Sequence, residues 1–192
     1  YTEKADRFEK VEQSTLEAAG ENKIELLKNE PKAILSKWSG EVAMGVKYAG
    51  VSGKGSRAFG TNRIEWKSAK EEIHAYPLSA GEGMEDGGLE IEVVLKSKPV
   101  KNTFDFTIDG ADNLVFTKQL PLWQEIGLSA PTAKCDDLHC EHDGDTDDRP
   151  ENVVGSYAVY HATKSNHKIS GLNYATGKAY HIYRPKAIDT NG

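Results

Sequence analysis

A short segment of the chain combines thiol, imidazole and carboxylate side chains, the groups that most often bind metals in proteins. The thiols and imidazoles come first and a run of aspartates follows: Cys135, His139, Cys140, His142, Asp143, Asp145, Asp147 and Asp148. Structural zinc sites usually take two ligand pairs from separated parts of a chain. Here the sulfur and nitrogen ligands all lie between positions 135 and 142, so the spacing fits a zinc site poorly.

The aspartates favour calcium more than zinc. Asp143, Asp145 and Asp147 place carboxylates at alternate positions, as at the start of a helix–loop–helix calcium loop. The rest of that motif is missing, because Gly144 comes too early and Val154 stands where a bidentate glutamate is required. Calcium or zinc at 135–148 and no cofactor at all therefore stay open. The simplest alternative is a Cys135–Cys140 disulfide that closes a solvated acidic loop, as in extracellular or particle-borne proteins.

Two other groupings have the residue types of a hydrolytic enzyme without the required pattern. Ser156 and His161 would point to opposite faces of one strand, and no Gly-x-Ser-x-Gly elbow surrounds either residue. Glu90 and Glu92 alternate along a strand, where an exposed polar face explains them more simply than a glycosidase pair. We predict that the chain is not an enzyme.

Aromatic and imidazole side chains crowd the C-terminal part of the chain. We predict a binding patch for sugar rings or another protein, made of Tyr157, Tyr160, Tyr180, His181 and Tyr183. Tyrosine is also favoured in β-strands for packing reasons alone. Both interpretations stay open.

The elements that must position these residues are short strands, because apolar and polar residues alternate with a period of two. The predicted strands are 23–27, 33–38, 42–48, 63–67, 72–76, 89–95, 103–108, 113–117, 156–161 and 178–184. In 89–95 the residues that should face a core are Leu89, Ile91, Val93 and Leu95, and in 103–108 they are Phe104, Phe106 and Ile108. We expect residues 97–102 to join these two strands as a hairpin.

The predicted fold is therefore all-β, an antiparallel β-sandwich or jelly roll over residues 21–192. Residues 1–20 have a thin apolar stripe at helical spacing, which predicts a short helical docking arm. Residues 119–150 show neither the two-residue period of a strand nor the spacing of a helix. This absence of a pattern predicts a long loop. The chain begins at Tyr1 and ends on Asn191-Gly192, normally the middle of a hairpin turn, so we expect a piece of a longer protein, truncated at its C-terminal end.

Composition restricts the partners. The 192 residues are 38% hydrophobic and 28% charged with a net charge of −6, which suits a folded domain and repels a phosphate backbone. No apolar run approaches the roughly 20 residues that span a bilayer. We therefore predict neither nucleic acid nor membrane as a partner.

Several stretches resemble segments of uncharacterised β-rich proteins of tailed bacteriophages and viral metagenomes. They are RPENVVGSYAVYH at 149–161, NYATGKAYHIYRPK at 173–186, TNRIEW at 61–66 and TFDF at 103–106. The resemblance implies a structural or surface protein on the virion exterior, in a capsid, collar, tail or fibre, whose partners are further copies of itself and neighbouring virion proteins. The alternative is an extracellular carbohydrate-binding or adhesive module, with calcium as an option. A third interpretation is a hydrolase, or a self-cleaving precursor whose processing leaves Gly192 as the new end.

Overall fold

The computed structural model describes residues 22–81, 86–121, 153–165, 168–169 and 171–189. The predicted helical arm at 1–20 and the Cys/His/Asp segment at 135–148 lie outside these residues. All the regular secondary structure described is β, which confirms the all-β prediction. None of the described residues belongs to a helix of the length and apolarity needed to cross a bilayer.

Thirteen strands are described. They are β1 (Lys23–Leu27), β2 (Lys32–Lys37), β3 (Val42–Tyr48), β4 (Ser56–Arg57), β5 (Ile64–Lys67), β6 (Glu71–Leu78), β7 (Gly88–Leu95), β8 (Phe106–Asp109), β9 (Leu114–Lys118), β10 (Tyr157–His161), β11 (Lys168–Ile169), β12 (Leu172–Asn173) and β13 (Lys178–Ile182). Each of the ten predicted strands is present, with ends that differ by up to three residues. The two-residue strands β4, β11 and β12 were not predicted.

The chain divides into two compact units, Tyr1–Asp112 and Asn113–Gly192. The first contains two four-stranded antiparallel sheets with the strand orders β1-β2-β3-β8 and β4-β5-β6-β7. The second contains the three-stranded sheet β13-β10-β9 and the small β11-β12 pair. The sequence predicts one domain over 21–192, and that grouping stays a prediction.

One hydrophobic cluster in the first unit is shared by both of its sheets. Alternate residues of β1 and β2 supply one side, and alternate residues of β5 and β6 supply the other, as the two-residue period of a strand requires. The buried members are Ile24, Leu26, Ala33, Tyr48, Val51, Ile64, Trp66, Ile73 and Ala75. Leu89, Ile91 and Val93 of β7 pack against this cluster, as predicted, whereas Leu95, at the end of the strand, keeps 40% of its surface exposed. The cluster thus determines which face of each sheet is left for function.

The predicted hairpin between β7 and β8 is wrong. β7 pairs with β6, whereas β8 pairs with β3 in the other sheet. The connection from Lys96 to Asp105 is long enough to change sheets, so adjacency along the chain did not determine the pairing. Phe104, Phe106 and Ile108 are also less buried than expected, since each keeps 39–41% of its surface exposed.

The second unit is built around β10. Its partners are β9 on one side and β13 on the other, both antiparallel. Val159 is fully buried, and Tyr180 lies opposite it on β13. The pairing with β13 shifts by one residue between Val159 and Tyr160, which is a β-bulge. Because of this shift, Tyr160 lies opposite Lys178 rather than Ala179.

Candidate functional site

The first sheet has an edge strand, β8, that carries exposed apolar side chains. Among the described residues β8 is the last strand of that sheet, and all four residues of β8 are exposed. Phe106 lies opposite Tyr48 on β3, with ring centroids 5.1 Å apart, so its ring lies on the core side of the sheet. Ile108 lies two residues further on the same side. An apolar row therefore continues the core to the sheet edge, where solvent still reaches it.

The backbone of β8 has hydrogen-bonding groups on the side away from β3. The amide of Ala49 donates to the carbonyl of Asp105, at 3.0 Å, which identifies this pair as a hydrogen-bonded one. In an antiparallel ladder such pairs alternate, so Thr107 also bonds toward β3. The backbone groups of Phe106 and Ile108 consequently point away from the sheet, where another strand could bond to them.

A cleft of about 260 Å³ adjoins this edge. At its base the hydroxyl of Tyr48 donates to Glu71 at 3.0 Å, and Gly50 approaches both side chains closely. Burial, followed by the Glu71 carboxylate, raises the pKa of Tyr48 to about 12. Phe104 and Asp105 line the rim. The tyrosine is therefore a neutral hydrogen-bond donor at ordinary pH.

The predicted aromatic patch is divided between the two faces of the β13-β10-β9 sheet. Tyr157 and Tyr180 share one face with Val159, and Tyr180 is buried there, which raises the pKa of its phenol. His181 lies on the opposite face and stacks on Tyr183, with ring centroids 4.4 Å apart.

By strand alternation, Tyr160 lies on the same face as His181, half-buried. Tyr157 and Tyr183 are the most exposed of the five predicted binding residues. Each has 41% of its surface accessible to solvent. The structure therefore offers two exposed rings on separate faces. Binding by these residues stays a prediction.

Ser156 has a histidine partner, but it is His181 rather than His161. The Ser156 hydroxyl lies 2.7 Å from Nε2 of His181 and 2.5 Å from the carbonyl of Val153. A carbonyl can only accept, so the single hydroxyl proton goes to Val153 and His181 donates Nε2–H to the serine. In this arrangement the imidazole is not a base toward Ser156. The serine is 1% exposed, so the pair ties strand ends together.

His161 also has a structural position. Its Nδ1 accepts hydrogen bonds from the backbone amides of Thr163 and Lys164, both at 3.1 Å. Its ring is buried and meets the edge of Tyr174, at 5.7 Å between centroids. His161 therefore organises the turn after β10.

Sequence reasoning missed a second polar cluster, on the outer face of the sheet β4-β5-β6-β7. It contains Glu65, Glu72, His74 and Glu92, whose side chains come from three adjacent strands. The detectable signal was Glu72-x-His74, two polar residues on one face of a strand. Glu90 and Glu92 were interpreted as a plain solvated face, whereas Glu92 contacts both His74 and Tyr76.

The predicted metal ligands Asp143, Asp145 and Asp147, together with Cys135 and Cys140, lie outside the described residues. Comparison of the chain with protein-family models, with curated proteins and with solved structures finds no significant match in any of the three.

Proposed function

We propose that this chain is a structural protein of a bacteriophage particle, a capsid, collar, tail or fibre component on the virion exterior, and that it acts by protein–protein assembly. The viral context is supported by the sequence resemblance at 149–161 and 173–186. Assembly is supported by one structural observation, the open edge of β8 with its apolar row of Phe104, Phe106 and Ile108. Open edges with exposed apolar residues are where chains add strands to one another.

The partner that best fits this edge is a second copy of the chain. Two antiparallel β8 strands related by a two-fold axis at Phe106 would hydrogen-bond through the outward-facing groups of Phe106 and Ile108. In this register Phe106 lies opposite Phe106 of the second copy, and Phe104 lies opposite Ile108 of the second copy. Aromatic and β-branched pairs of this kind are favourable cross-strand neighbours.

The charges of the segment are compatible with the same register. Asp105 would face Thr107 of the second copy, and Asp109 would face Thr103, so no two aspartates oppose each other. Like charges directly opposite would destabilise the pair. In addition, Asp109 is already paired with Lys32 of its own sheet, at 2.8 Å.

The proposal also specifies the fold in more detail than the all-β class. The two sheets that share the hydrophobic cluster would form a β-sandwich, of which the jelly roll is one topology, and residues 1–20 would form a helical arm that docks on a neighbouring virion protein. The arm is expected to need such a surface, since a short isolated helix is marginal in water.

The β8 contact is tested by sedimentation equilibrium of the full chain. The wild-type chain should associate with increasing concentration, and Ile108→Lys should abolish association by placing a charge in the apolar row. Thr107→Lys adds the same charge on the other face, opposite Asp105 of the second copy, and should associate at least as well. Phe59→Ser removes a fully exposed aromatic elsewhere and should have no effect. A wild-type chain that stays monomeric up to millimolar concentration would overturn the self-association.

The viral role is tested on native particles. Mass spectrometry of purified virions should detect the chain, and electron microscopy should place it in a repeating exterior structure. Its absence from particles, with the chain present only as a free species, would refute the virion role.

A second candidate is a carbohydrate-binding or adhesive module. It is favoured by the exposed rings of Tyr157 and Tyr183, since sugars stack on accessible aromatic faces. A glycan array with and without calcium tests it, and Tyr183→Ala should remove the signal. No binding to any glycan in either condition would refute it.

A further inference from the structure

The outer face of the sheet β4-β5-β6-β7 surrounds one histidine with carboxylates. On β6, Glu72 and His74 are two residues apart and share a face. His74 lies directly opposite Glu65 on β5 and directly opposite Glu92 on β7. Three strands of a regular sheet, rather than mobile loops, therefore hold the four side chains.

Three of these side chains form a compact set of ligand atoms. One oxygen each from Glu65 and Glu72 and one ring nitrogen of His74 all lie within 4.8 Å of one another. The side chains are only 10%, 18% and 12% exposed, respectively. Zinc takes such ligands at about 2.0–2.2 Å, which places ligand atoms about 3.5 Å apart, so carboxylate rotation has about an ångström to close.

Glu92 acts on the other side of the imidazole. Its Oε2 lies 3.4 Å from Nδ1 of His74, and its Oε1 accepts a hydrogen bond from the Tyr76 hydroxyl at 2.8 Å. A proton on Nδ1 directed at Glu92 leaves the Nε2 lone pair free, and Nε2 is the nitrogen 3.2 Å from Glu72. Metal-binding histidines are commonly oriented by a carboxylate in this way.

Positive charge already occupies the space around these carboxylates. Lys67 lies 2.8 Å from Glu65 and 3.6 Å from Glu72, and Lys96 lies 2.8 Å from Glu72. Both lysine side chains are accessible, at 51% and 39%, and are flexible enough to move into water. A bound divalent ion would replace the two ammonium groups, while Arg63 stays on Glu65. This competition limits the affinity.

We propose that Glu65, Glu72 and His74 bind a divalent ion of the zinc class, with Glu92 as the positioning carboxylate. The imidazole favours zinc, cobalt or nickel over calcium and magnesium, which prefer oxygen ligands alone. Three protein ligands leave a fourth position for water or for a donor from a partner. The proposal is independent of β8 and of the segment at 135–148.

The experiment is zinc titration of the full chain, followed by the ¹⁵N chemical shifts of the histidine imidazoles. Zinc bound at this site should shift Nε2 of His74, whereas zinc bound by His139 and His142 should shift the ring nitrogens of those two residues. His74→Gln and Glu72→Gln should each weaken zinc binding at this site at least tenfold, and Glu92→Gln should weaken it about tenfold because the imidazole loses its orientation. Glu90→Gln, on the same strand and face as Glu92, is the matched control and should bind as the wild type does.

Lys67→Met gives the discriminating result. A metal site gains affinity when the competing ammonium is removed, whereas a purely structural ion-pair network only loses stability. Increased zinc affinity in Lys67→Met is therefore expected. Unchanged His74 shifts on addition of millimolar zinc, or a Lys67→Met chain that binds no more tightly than the wild type, would overturn the proposal. Thermal unfolding of each variant without metal confirms that it is folded.

Discussion

The hydroxyl of Ser156 accepts a hydrogen bond from Nε2 of His181, with the two atoms 2.7 Å apart. The bond joins the residue before β10 to a residue of β13, and the same hydroxyl donates to Val153. Because Ser156 is buried, water does not replace either partner. The pair is therefore a hydrogen-bonded polar contact that links the start of β10 to β13 within the second unit.

Replacing Ser156 with alanine should destabilise the fold. The substitution leaves Nε2–H of His181 without its acceptor, whereas the Val153 carbonyl keeps the bond from the backbone amide of residue 156 at 3.0 Å. An unsatisfied buried polar group costs about 1–3 kcal/mol. Urea unfolding measures the change in the free energy of unfolding. Ser97→Ala, at an exposed position, is the control and should change it by less than about 0.5 kcal/mol. Equal changes in the free energy of unfolding for the two variants would show that the Ser156 hydroxyl contributes nothing to stability.

Stability should fall as His181 becomes protonated in the unfolded chain. Burial, and then the charge of Lys178, lower the pKa of His181 below its ordinary 6.5. The unfolded state therefore binds this proton first, and stability is lost as pH falls from about 6.5 through the lower folded-state pKa. Melting temperatures from pH 8 to 5 should decline for the wild type and decline less for His181→Gln. Parallel curves would contradict this assignment.

Glu72 should contribute a separate loss of stability in acid. The hydrogen bond from Lys96, together with the charge of Lys67, holds its pKa at about 2, below the ordinary 4.5. Its contribution is complete above about 4.5 and is lost as pH falls toward 2. Glu72→Gln should therefore flatten the stability curve between these values, measured in the presence of a chelator.

Glu90 lies on the same face of the sheet as Glu72 and should affect the pH dependence of stability in the opposite direction. Burial, with the charge of Glu92, raises its pKa. Ionising Glu90 therefore disfavours the folded state as pH rises above about 4.5, and Glu90→Gln should gain stability at pH 7 relative to pH 4. A loss in this variant similar to that of Glu72→Gln would show that general charge, not the local contacts, controls the pH dependence.

Gly55 should not accept a side chain. A Cβ atom there would lie 2.7 Å from Nε1 of Trp66 and 2.8 Å from Cγ2 of Ile64. Both neighbours are buried in the shared cluster and cannot move away, so Gly55→Ala should cost about 1–3 kcal/mol through overpacking. Gly81→Ala has open space around the new methyl group and should be neutral within about 0.5 kcal/mol. Chemical denaturation of both variants makes the comparison.

The alternation of residue types was enough to predict ten of the thirteen described strands. Leu89, Ile91 and Val93 face the cluster because a strand sends alternate side chains to opposite faces, and this rule acts over a few neighbouring residues. The all-β class follows directly from these short-range preferences.

Strand pairing, in contrast, was decided by the tertiary structure. β8 joins β3 rather than β7 because partner choice depends on which apolar faces meet in the shared cluster, across many intervening residues. The same long-range pairing places His74 between Glu65 and Glu92 and Ser156 beside His181. Sequence alone could identify each of these side chains as polar, but only the register of the strands brings them within bonding distance.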